Sequence, residues 1–218
     1  MPQTLPASEV TLRSLKQSLN LQPASSAQFF PEWQIEATPC SEIEQTYLDR
    51  VQANFLDLLE EPPALENSVK MVVLAPLLDL AGLYRRPFRI TTETSIEIEL
   101  EDEDRCIRGR IDVLVVRDSL WLVVIESKRS DFSVSRALPQ TLAYMLGNPQ
   151  ADRATFGLIT NGTEFMFLKT QQRETGETEA TRLSQYATSR LFSLFNPGNE
   201  LAQVLVILKH LAHQSAQQ

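Results

Sequence analysis

The residues of greatest chemical interest are Asp112 in the segment RGRIDVLVV, and Glu126 and Lys128 in LWLVVIESKRS. Both segments are rich in β-branched residues and almost continuously apolar, which is typical of central strands in a covered sheet. Residues two apart in a strand point to the same face, about 6 to 7 Å from each other. The sequence therefore predicts that Glu126 and Lys128 project together from the end of a buried strand, where unpartnered charges are costly.

The position of Asp112 relative to Glu126 depends on the connection between these two strands, at Asp118-Ser119-Leu120. A three-residue turn places Asp112 opposite Glu126 on the same face. A two-residue turn places Asp112 opposite Ile125 and turns Glu126 to the other face, because a shift of one residue reverses the faces of a strand. A site shared by the two carboxylates therefore requires the first register.

Two carboxylates beside an ammonium group suit metal-assisted hydrolysis. Carboxylates hold Mg²⁺ through few direct contacts and leave several waters on the metal. The metal polarises a phosphoryl oxygen and lowers the pKa of a bound water, while Lys128 can orient that water and stabilise charge in the transition state. The alternative is an ordinary salt bridge at a strand end, which an isolated Asp and E-x-K pattern would favour.

Two helices are predicted upstream of these strands. Ser41 followed by Glu44 is a capping box, and apolar residues at helical spacing continue from it, so a helix is expected over about 42–60. A second helix is expected over about 65–81, with a kink at Pro76 because proline lacks the N–H of a helical hydrogen bond.

The remaining pattern is mixed α/β. Residues 1–40 are predicted to form a partly ordered N-terminal arm, and 41–218 a single domain with a helical extension at its C-terminal end. Asn161-Gly162 is typical of a type I′ hairpin turn, and the polar segment 171–180 of an exposed loop. Strands are expected over about 88–92, 94–100, 108–116, 121–127, 155–160 and 164–169, and helices over about 135–147, 182–195 and 200–213.

The order of these motifs resembles the PD-(D/E)XK nuclease superfamily, and within it the N-terminal nuclease domain of type I restriction enzyme R subunits. The resemblance runs through ENSVKMVVLAPLLDLAG, GRIDVLVV, VVIESKRS, ALPQTLAYML and FGLITNGTEFMFL, roughly residues 65–170. It implies a mixed α/β fold, with a restriction-endonuclease-like central sheet flanked by helices and extra helices at both termini.

The resemblance also implies a set of catalytic residues. By position, Asp112 and Glu126 are the metal-binding acids, Lys128 is the catalytic lysine, and Ser127 is a metal contact through its backbone carbonyl. The implied cofactor is Mg²⁺ or Mn²⁺. Ile111 stands where the superfamily name has proline.

Three further residues match supporting positions of the family. Glu66 matches the acidic residue of the first core helix, although Glu60 and Glu61 are close by. Gln140 and Tyr144 match a Q-x-x-x-Y motif that supports the site and contacts nucleic acid, and their spacing places them on one helix face.

The charge distribution gives conflicting indications about nucleic acid. A formal net charge of −8 argues against a nucleic-acid binder. Residues 105–136 are nevertheless locally basic, and Arg108, Arg110, Arg129 and Arg136 flank the expected site. Arg110, Arg129 and Arg136 are therefore predicted to contact nucleic acid together with the Q-x-x-x-Y residues.

The function implied is a Mg²⁺-dependent endonuclease that hydrolyses DNA phosphodiester bonds through a metal-activated water, in a restriction or DNA-processing system. One alternative is a catalytically silent nuclease-fold module that binds nucleic acid or a partner protein. Another is a structural subunit whose charged strand end is only a salt bridge.

Partners and location follow from absent motifs. The sequence has no P-loop motif, so we expect a separate motor or specificity subunit alongside DNA, and we also consider a homodimer. No apolar run reaches the roughly 18 to 20 residues that cross a bilayer, and no signal-peptide pattern opens the chain. With two cysteines at no metal or disulfide spacing, we expect a cytoplasmic protein without membrane contact.

Overall fold

The structure is a computed structural model that describes residues 3–35, 40–61, 63–99, 105–117, 120–150, 153–175 and 181–216. The α-helices are α1 (Leu12–Ser18), α2 (Glu42–Leu59), α3 (Glu66–Val69), α4 (Ala75–Leu80), α5 (Leu138–Leu146) and α6 (Leu201–Ala216); a π-helical segment spans Lys70–Leu74, and 3-10 turns span Ala7–Glu9, Ala27–Phe29, Pro31–Trp33 and Val134–Ala137. The strands are β1 (Gln3–Pro6), β2 (Leu21–Pro23), β3 (Phe88–Glu99), β4 (Arg105–Arg117), β5 (Leu120–Ser127), β6 (Thr155–Thr160), β7 (Glu164–Thr175), β8 (Thr181–Thr188) and β9 (Phe192–Ser193).

The strands of the described chain form one mixed sheet. Its main order is β1-β4-β5-β6-β7-β8-β2, with β3 added to β4 and β9 added to β7. The β3–β4–β5 strands are antiparallel, whereas β5 and β6 are parallel and are connected through α5. Parallel neighbours need such a crossover, and α5 covers the sheet between them.

Helices pack on both faces of this sheet. One apolar core joins α2, α4 and α6 to Val113 and Val115 of β4. A second core joins α1 and α5 to Ile111 and Leu114 of the same strand. The predicted mixed α/β class, with a central sheet flanked by helices, is confirmed.

The N-terminal segment contributes to the sheet. Gln3–Pro6 pairs in parallel with β4, and Leu21–Pro23 pairs in parallel with β8. Helix α1 lies between these two strands in the chain and buries Leu15 in the second core. The division of the chain at residue 40 stays a prediction.

The first predicted helix is confirmed, including its start. The Ser41 hydroxyl accepts from the backbone N–H of Glu44, and the Glu44 carboxylate accepts from the backbone N–H of Ser41. The second predicted helix is present but contains a π-helical turn immediately before Pro76, where the N–H of Ala75 donates to the carbonyl of Lys70. Because Pro76 cannot donate a hydrogen bond, the helix is weakest at this point.

The β4–β5 register places Asp112 and Glu126 at the same level of the sheet. Val113, the residue after Asp112, pairs with Ile125, the residue before Glu126, so the two acids face each other across the antiparallel pair. The predicted turn falls partly on Asp118 and Ser119, which lie outside the described residues. On the described side, Arg117 pairs with Leu120, and a bulge after Val115 shifts the ladder. The bulge supplies the extra residue that the sequence interpretation assigned to a longer turn.

The predicted type I′ turn between β6 and β7 is wrong. A type I′ turn requires positive φ at both central residues, but only Gly162 has one, at 89°. The Asn161 side chain instead accepts from the backbone N–H groups of Thr163 and Glu164, at 3.1 and 2.8 Å. A Cβ on Gly162 would lie 2.2 Å from the Phe55 ring, so glycine is required there by close packing as well.

Two further predictions from the second half are wrong. The segment 171–180 was expected to be a loop, but 171–175 continue β7, and 176–180 lie outside the described residues. A helix was expected over 182–195, but this region holds β8 and β9. Its apolar residues are spaced three to five apart, which favours a helix, yet β8 lies between β7 and β2 and hydrogen bonds with both. Tertiary pairing overrides local preference here.

Candidate active site

Asp112 is fully engaged by neighbouring donors. Its Oδ2 accepts from the backbone N–H and the hydroxyl of Ser127, at 2.8 and 3.0 Å. Its Oδ1 accepts from the Lys70 Nζ at 2.9 Å. The Asp112 side chain is only 15% exposed. Because Ser127 ends β5 and Lys70 lies in the π-helical turn, Asp112 ties two strands of the sheet to the first core helix.

Glu126 is the most deeply buried acid of the site. The residue is 2% exposed, and its Oε1 accepts from the Lys128 Nζ at 2.6 Å. The pKa of Glu126 is raised to about 7, chiefly by burial; the charges of Asp112 and Glu66 also raise it, while the charge and hydrogen bond of Lys128 lower it. Its Oε2 is buried and has no hydrogen-bond partner among the described residues. Such an oxygen is costly unless a ligand or a proton meets it.

Lys128 is held by several groups besides Glu126. Burial lowers its pKa, but the charge and hydrogen bond of Glu126 together with the charges of Glu66 and Asp112 outweigh burial, so the net shift is upward and the amine stays charged. Its Nζ donates to the Oε1 of Gln140 at 3.4 Å and lies 5.7 Å from the centre of the Phe132 ring. The Asn161 amide fixes the Phe132 segment by donating to the Phe132 carbonyl at 3.0 Å.

The Q-x-x-x-Y pair stands behind Lys128. The Gln140 Nε2 donates to the Tyr144 hydroxyl at 2.7 Å, on one face of α5. Tyr144 is 2% exposed and lies against Gly109 of β4, where a Cβ would come within 2.5 Å of its ring. Tyr144 thus orients Gln140, and a direct contact between its side chain and nucleic acid stays a prediction.

Glu66 begins α3 close to the other acids. Its negative charge raises the pKa of both Glu126 and Lys128. The segment before α3 is tied to the loop after β5, since Ala64 and Ser130 exchange hydrogen bonds of 2.9 and 3.0 Å. This link fixes the start of the helix beside the end of the strand that carries Glu126.

Sequence reasoning missed Lys70 and Glu93. Lys70 is four residues after Glu66, which indicates an ordinary surface ion pair within a helix. In the structure its Nζ turns to Asp112 and lies 3.5 Å from Glu93 Oε1. Glu93 has a φ of 57°, in the middle of β3. Glu93 continues the polar positions of β3, and the β3–β4 register is the same on both sides of it, so the sequence gives no signal for this conformation.

The predicted basic cluster is largely paired with acids. Arg110 Nε contacts Glu93 Oε2 at 2.6 Å, and Arg108 contacts Glu97 at 2.8 Å. Arg129 contacts Asp131 at 2.9 Å. In the described part of the chain Arg136 has no carboxylate partner, and its guanidinium lies 5.4 Å from the centre of the Phe132 ring. The local positive charge is therefore smaller than the sequence suggests.

The donor set fits a divalent cation. Glu126 offers a buried, unpartnered carboxylate oxygen, and Asp112 already holds a cation in the form of the Lys70 ammonium. Carboxylate oxygens are the ligands that Mg²⁺ and Mn²⁺ prefer. Over the described ranges no cluster of three or more His, Cys, Asp or Glu side chains could hold a metal. A site here therefore needs the Ser127 carbonyl or water to complete it.

Fold and site together define a mixed α/β domain in which Asp112, in the middle of β4, lies beside Glu126 and Lys128 at the end of β5. Residues 35–176 match the family described as the type I restriction enzyme R protein N terminus. The match covers more than half of the chain, so the protein belongs to this family, which is related to nucleases of restriction systems. The resemblance to the N-terminal domain of type I restriction enzyme R subunits is confirmed.

A solved structure gives a weaker likeness. A fragment described as an HsdR subunit of a type I restriction enzyme from Vibrio vulnificus YJ016 is 23% identical, with a TM-score of 0.36, over 48% of this chain. The match spans 21% of the length of that fragment. A search of curated proteins found no match. No helix within the described residues is long and apolar enough to cross a membrane.

Proposed function

We propose that this domain hydrolyses DNA phosphodiester bonds with the help of Mg²⁺ or Mn²⁺, by attack of water and without a covalent enzyme intermediate. The environment of Glu126 carries this proposal. A carboxylate that is 2% exposed, with one oxygen on Lys128 and the other unpartnered among the described residues, is costly in a purely structural role. Buried acids with strongly raised pKa values are typical of functional sites.

The residues that would hold the metal are Asp112, Glu126 and the carbonyl of Ser127. The bound ion polarises a phosphoryl oxygen and lowers the pKa of water. Lys128 donates hydrogen bonds to the attacking water and to the phosphate oxygens that gain negative charge. Gln140 and Glu126 fix its ammonium group by accepting from it, so little reorganisation is needed during the reaction.

Removal of Lys128 tests the catalytic role. Because Lys128 acts on the transition state, Lys128→Ala should lower the rate of nicking of supercoiled DNA about 10² to 10³-fold. Its DNA affinity should change little. Lys209→Ala is the matched control, since it removes a lysine that pairs with Glu44 on another part of the surface. Equal cleavage by Lys128→Ala and wild type at matched metal and DNA occupancy would remove Lys128 from the mechanism.

Metal binding is tested separately by calorimetry with Mn²⁺. Asp112→Asn and Glu126→Gln should each weaken binding, because each removes a charged ligand. Unchanged Mn²⁺ affinity in both variants would exclude these residues as ligands. This measurement needs no DNA and no cleavage, so it separates the metal site from the reaction.

A second candidate is a catalytically silent module that binds nucleic acid or a partner protein. The charge balance of the site favours it, because each acid already has its own lysine: Lys70 for Asp112 and Lys128 for Glu126. A silent module should bind DNA or a protein partner without cleavage in Mg²⁺ or Mn²⁺, and Lys128→Ala should then alter only stability.

Partners follow from the proposed reaction. We expect DNA, and a separate motor or specificity subunit of a restriction system, to act with this domain. A homodimer and a cytoplasmic location remain predictions, which sedimentation and cell fractionation test directly.

A further inference from the structure

Lys70 lies between two acids on different strands. Its Nζ is 2.9 Å from Asp112 Oδ1 and 3.5 Å from Glu93 Oε1. The lysine and aspartate side chains are 20% and 15% exposed, so the contact is partly shielded from water. Burial lowers the pKa of Lys70, but the hydrogen bonds and charges of Asp112 and Glu93 together outweigh burial and the net shift is upward. The ammonium therefore remains charged at Asp112.

Asp112 has only one oxygen that a metal can take without breaking its link to β5. Oδ2 is occupied by the N–H and hydroxyl of Ser127. Oδ1 is occupied by Lys70 alone among the described side chains. A divalent cation that bound Oδ1 would lie within a few ångströms of the ammonium group, where like charges repel strongly. The ammonium and the metal thus compete for one oxygen.

Glu93 offers a second position for the displaced ammonium. Its left-handed φ of 57° departs from the extended backbone of the rest of β3, and its carboxylate lies near Lys70. Non-glycine residues rarely adopt this conformation, and such strain is concentrated at functional positions. Glu93 is 47% exposed and also accepts from Arg110, so it can take up Lys70 without burying a new charge.

We propose that Lys70 is a displaceable internal counter-ion, which holds Asp112 in the metal-free protein and moves to Glu93 when a divalent cation binds. The inference rests on the proposed metal site at Asp112 and Glu126 and adds a positioning residue to it. In the metal-free protein the Lys70 ammonium balances the charge of Asp112. A divalent cation binds only when its attraction to Asp112 exceeds the cost of displacing that ammonium.

The test is a double-mutant cycle of Mn²⁺ affinity, measured by calorimetry on wild type, Lys70→Met, Glu93→Gln and the double variant. Lys70→Met should bind Mn²⁺ about tenfold more tightly, since the competitor is gone. Glu93→Gln should weaken binding several-fold in the wild-type background. In the Lys70→Met background Glu93→Gln should have almost no effect, because no ammonium needs a second position.

A through-space effect of charge predicts a different cycle. If Glu93 acts only through its negative charge near the metal, Glu93→Gln weakens Mn²⁺ binding equally in the wild-type and Lys70→Met backgrounds. That result would overturn the proposed displacement of Lys70. Failure of Lys70→Met to tighten binding also overturns it. Melting curves establish that each variant is folded, and Lys70→Gln replaces Lys70→Met if the latter does not fold.

Failure of the proposed metal site gives a separate result. If Asp112 and Glu126 do not bind the metal, Mn²⁺ affinity is the same in wild type, Asp112→Asn and Glu126→Gln, with or without the Lys70→Met substitution. If Mn²⁺ binding depends on Asp112 but Lys70→Met leaves it unchanged, the metal site stands and only the role of Lys70 is overturned.

Discussion

Glu126 combines a buried carboxyl group with a lysine that only partly compensates its charge. Its folded-state pKa of about 7 is above the ordinary value of 4.5. The folded protein therefore takes up a proton that the unfolded chain lacks between these two pH values. In the metal-free protein, the stabilisation from this proton is complete below about pH 4.5 and is lost as the pH rises through about 7.

Glu126→Gln should remove this pH dependence. The free energy of unfolding of the variant, minus that of wild type, should increase by about 1 to 3 kcal/mol between pH 5 and 8, because one pKa unit corresponds to about 1.4 kcal/mol. Denaturant titrations in chelator at several pH values measure the difference. A difference that stays constant over this range would show that Glu126 is ionised throughout.

Glu44 gives a matched control with the opposite sign. The hydrogen bond from Lys209 lowers the pKa of Glu44, so its stabilising contribution is present above its ordinary pKa and is lost only in acid. The difference between Glu44→Gln and wild type should therefore be flat between pH 5 and 8.

The sequence predicted the acids, the lysine and the Gln140–Tyr144 pair of the candidate site, but not Lys70 and Glu93. Asp112, Glu126 and Lys128 belong to motifs with fixed spacing along two strands, and spacing of two places side chains on one face. Lys70 could not be assigned in this way, because its direction depends on the π-helical turn before Pro76. Nothing in the local sequence specifies that the helix takes an extra residue there.

Helix α5 and strand β4 approach each other closely at Gly109. A Cβ at this position would lie 2.5 Å from Tyr144 Cε1 and 2.7 Å from the Ala7 Cβ, so the contact leaves no room for a methyl group. Tyr144 accepts from Gln140, which accepts from Lys128. The glycine therefore controls the position of the proposed catalytic lysine through two hydrogen bonds.

Gly109→Ala should displace Tyr144 and with it the Gln140 side chain that holds Lys128. The rate of nicking should therefore fall by more than the loss of folded protein accounts for. Overpacking of this kind typically costs about 1 to 3 kcal/mol, which the melting temperature reports. Gly147→Ala is the milder comparison, since its added Cβ would lie 3.1 Å from the Ile98 side chain and 3.3 Å from the Tyr144 backbone carbonyl, against 2.5 Å from the Tyr144 ring at Gly109. Normal nicking by folded Gly109→Ala would show that the Tyr144–Gln140 pair does not position Lys128.

Helix and strand predictions succeeded where local signals agreed with tertiary structure. The capping box of α2 and the apolar strands β4, β5 and β6 have clear patterns, and all four elements are present. Strand β8 has polar residues and a helical spacing of apolar ones, and its identity comes from pairing with β7 and β2. Such long-range pairing is invisible in a local window.

On the scale of the whole molecule, a net charge of −8 is combined with acidic partners for three of the four arginines that flank the proposed site, Arg108, Arg110 and Arg129. Each phosphate contact with an unpaired arginine releases counterions from DNA. An arginine that is paired with an acid must first break that ion pair, which reduces the free energy gained from a phosphate contact. We therefore expect weak, strongly salt-dependent DNA binding by the isolated domain.

Arg136→Glu should weaken DNA binding more than Arg129→Glu, because Arg129 is already paired with Asp131 whereas Arg136 has no described acidic partner. The loss should be similar for all DNA sequences, and the salt slope should fall by about 1. Arg50→Glu is an equal reversal on α2, which packs on the opposite side of the sheet from α5. Fluorescence anisotropy at two salt concentrations measures all three variants, and equal affinities for all three would place the DNA elsewhere.

The N-terminal strands have a consequence for the time course of biosynthesis. Strand β1 pairs with Arg105–Arg108, and β2 pairs with Ser184–Tyr186, so their partners leave the ribosome about 100 and about 160 residues later. Until then, the backbone groups of both early strands must be satisfied by water or by a chaperone. Strand β1 can therefore dock only once β4 is available, and β2 only once β8 is available, although both are made before their partners.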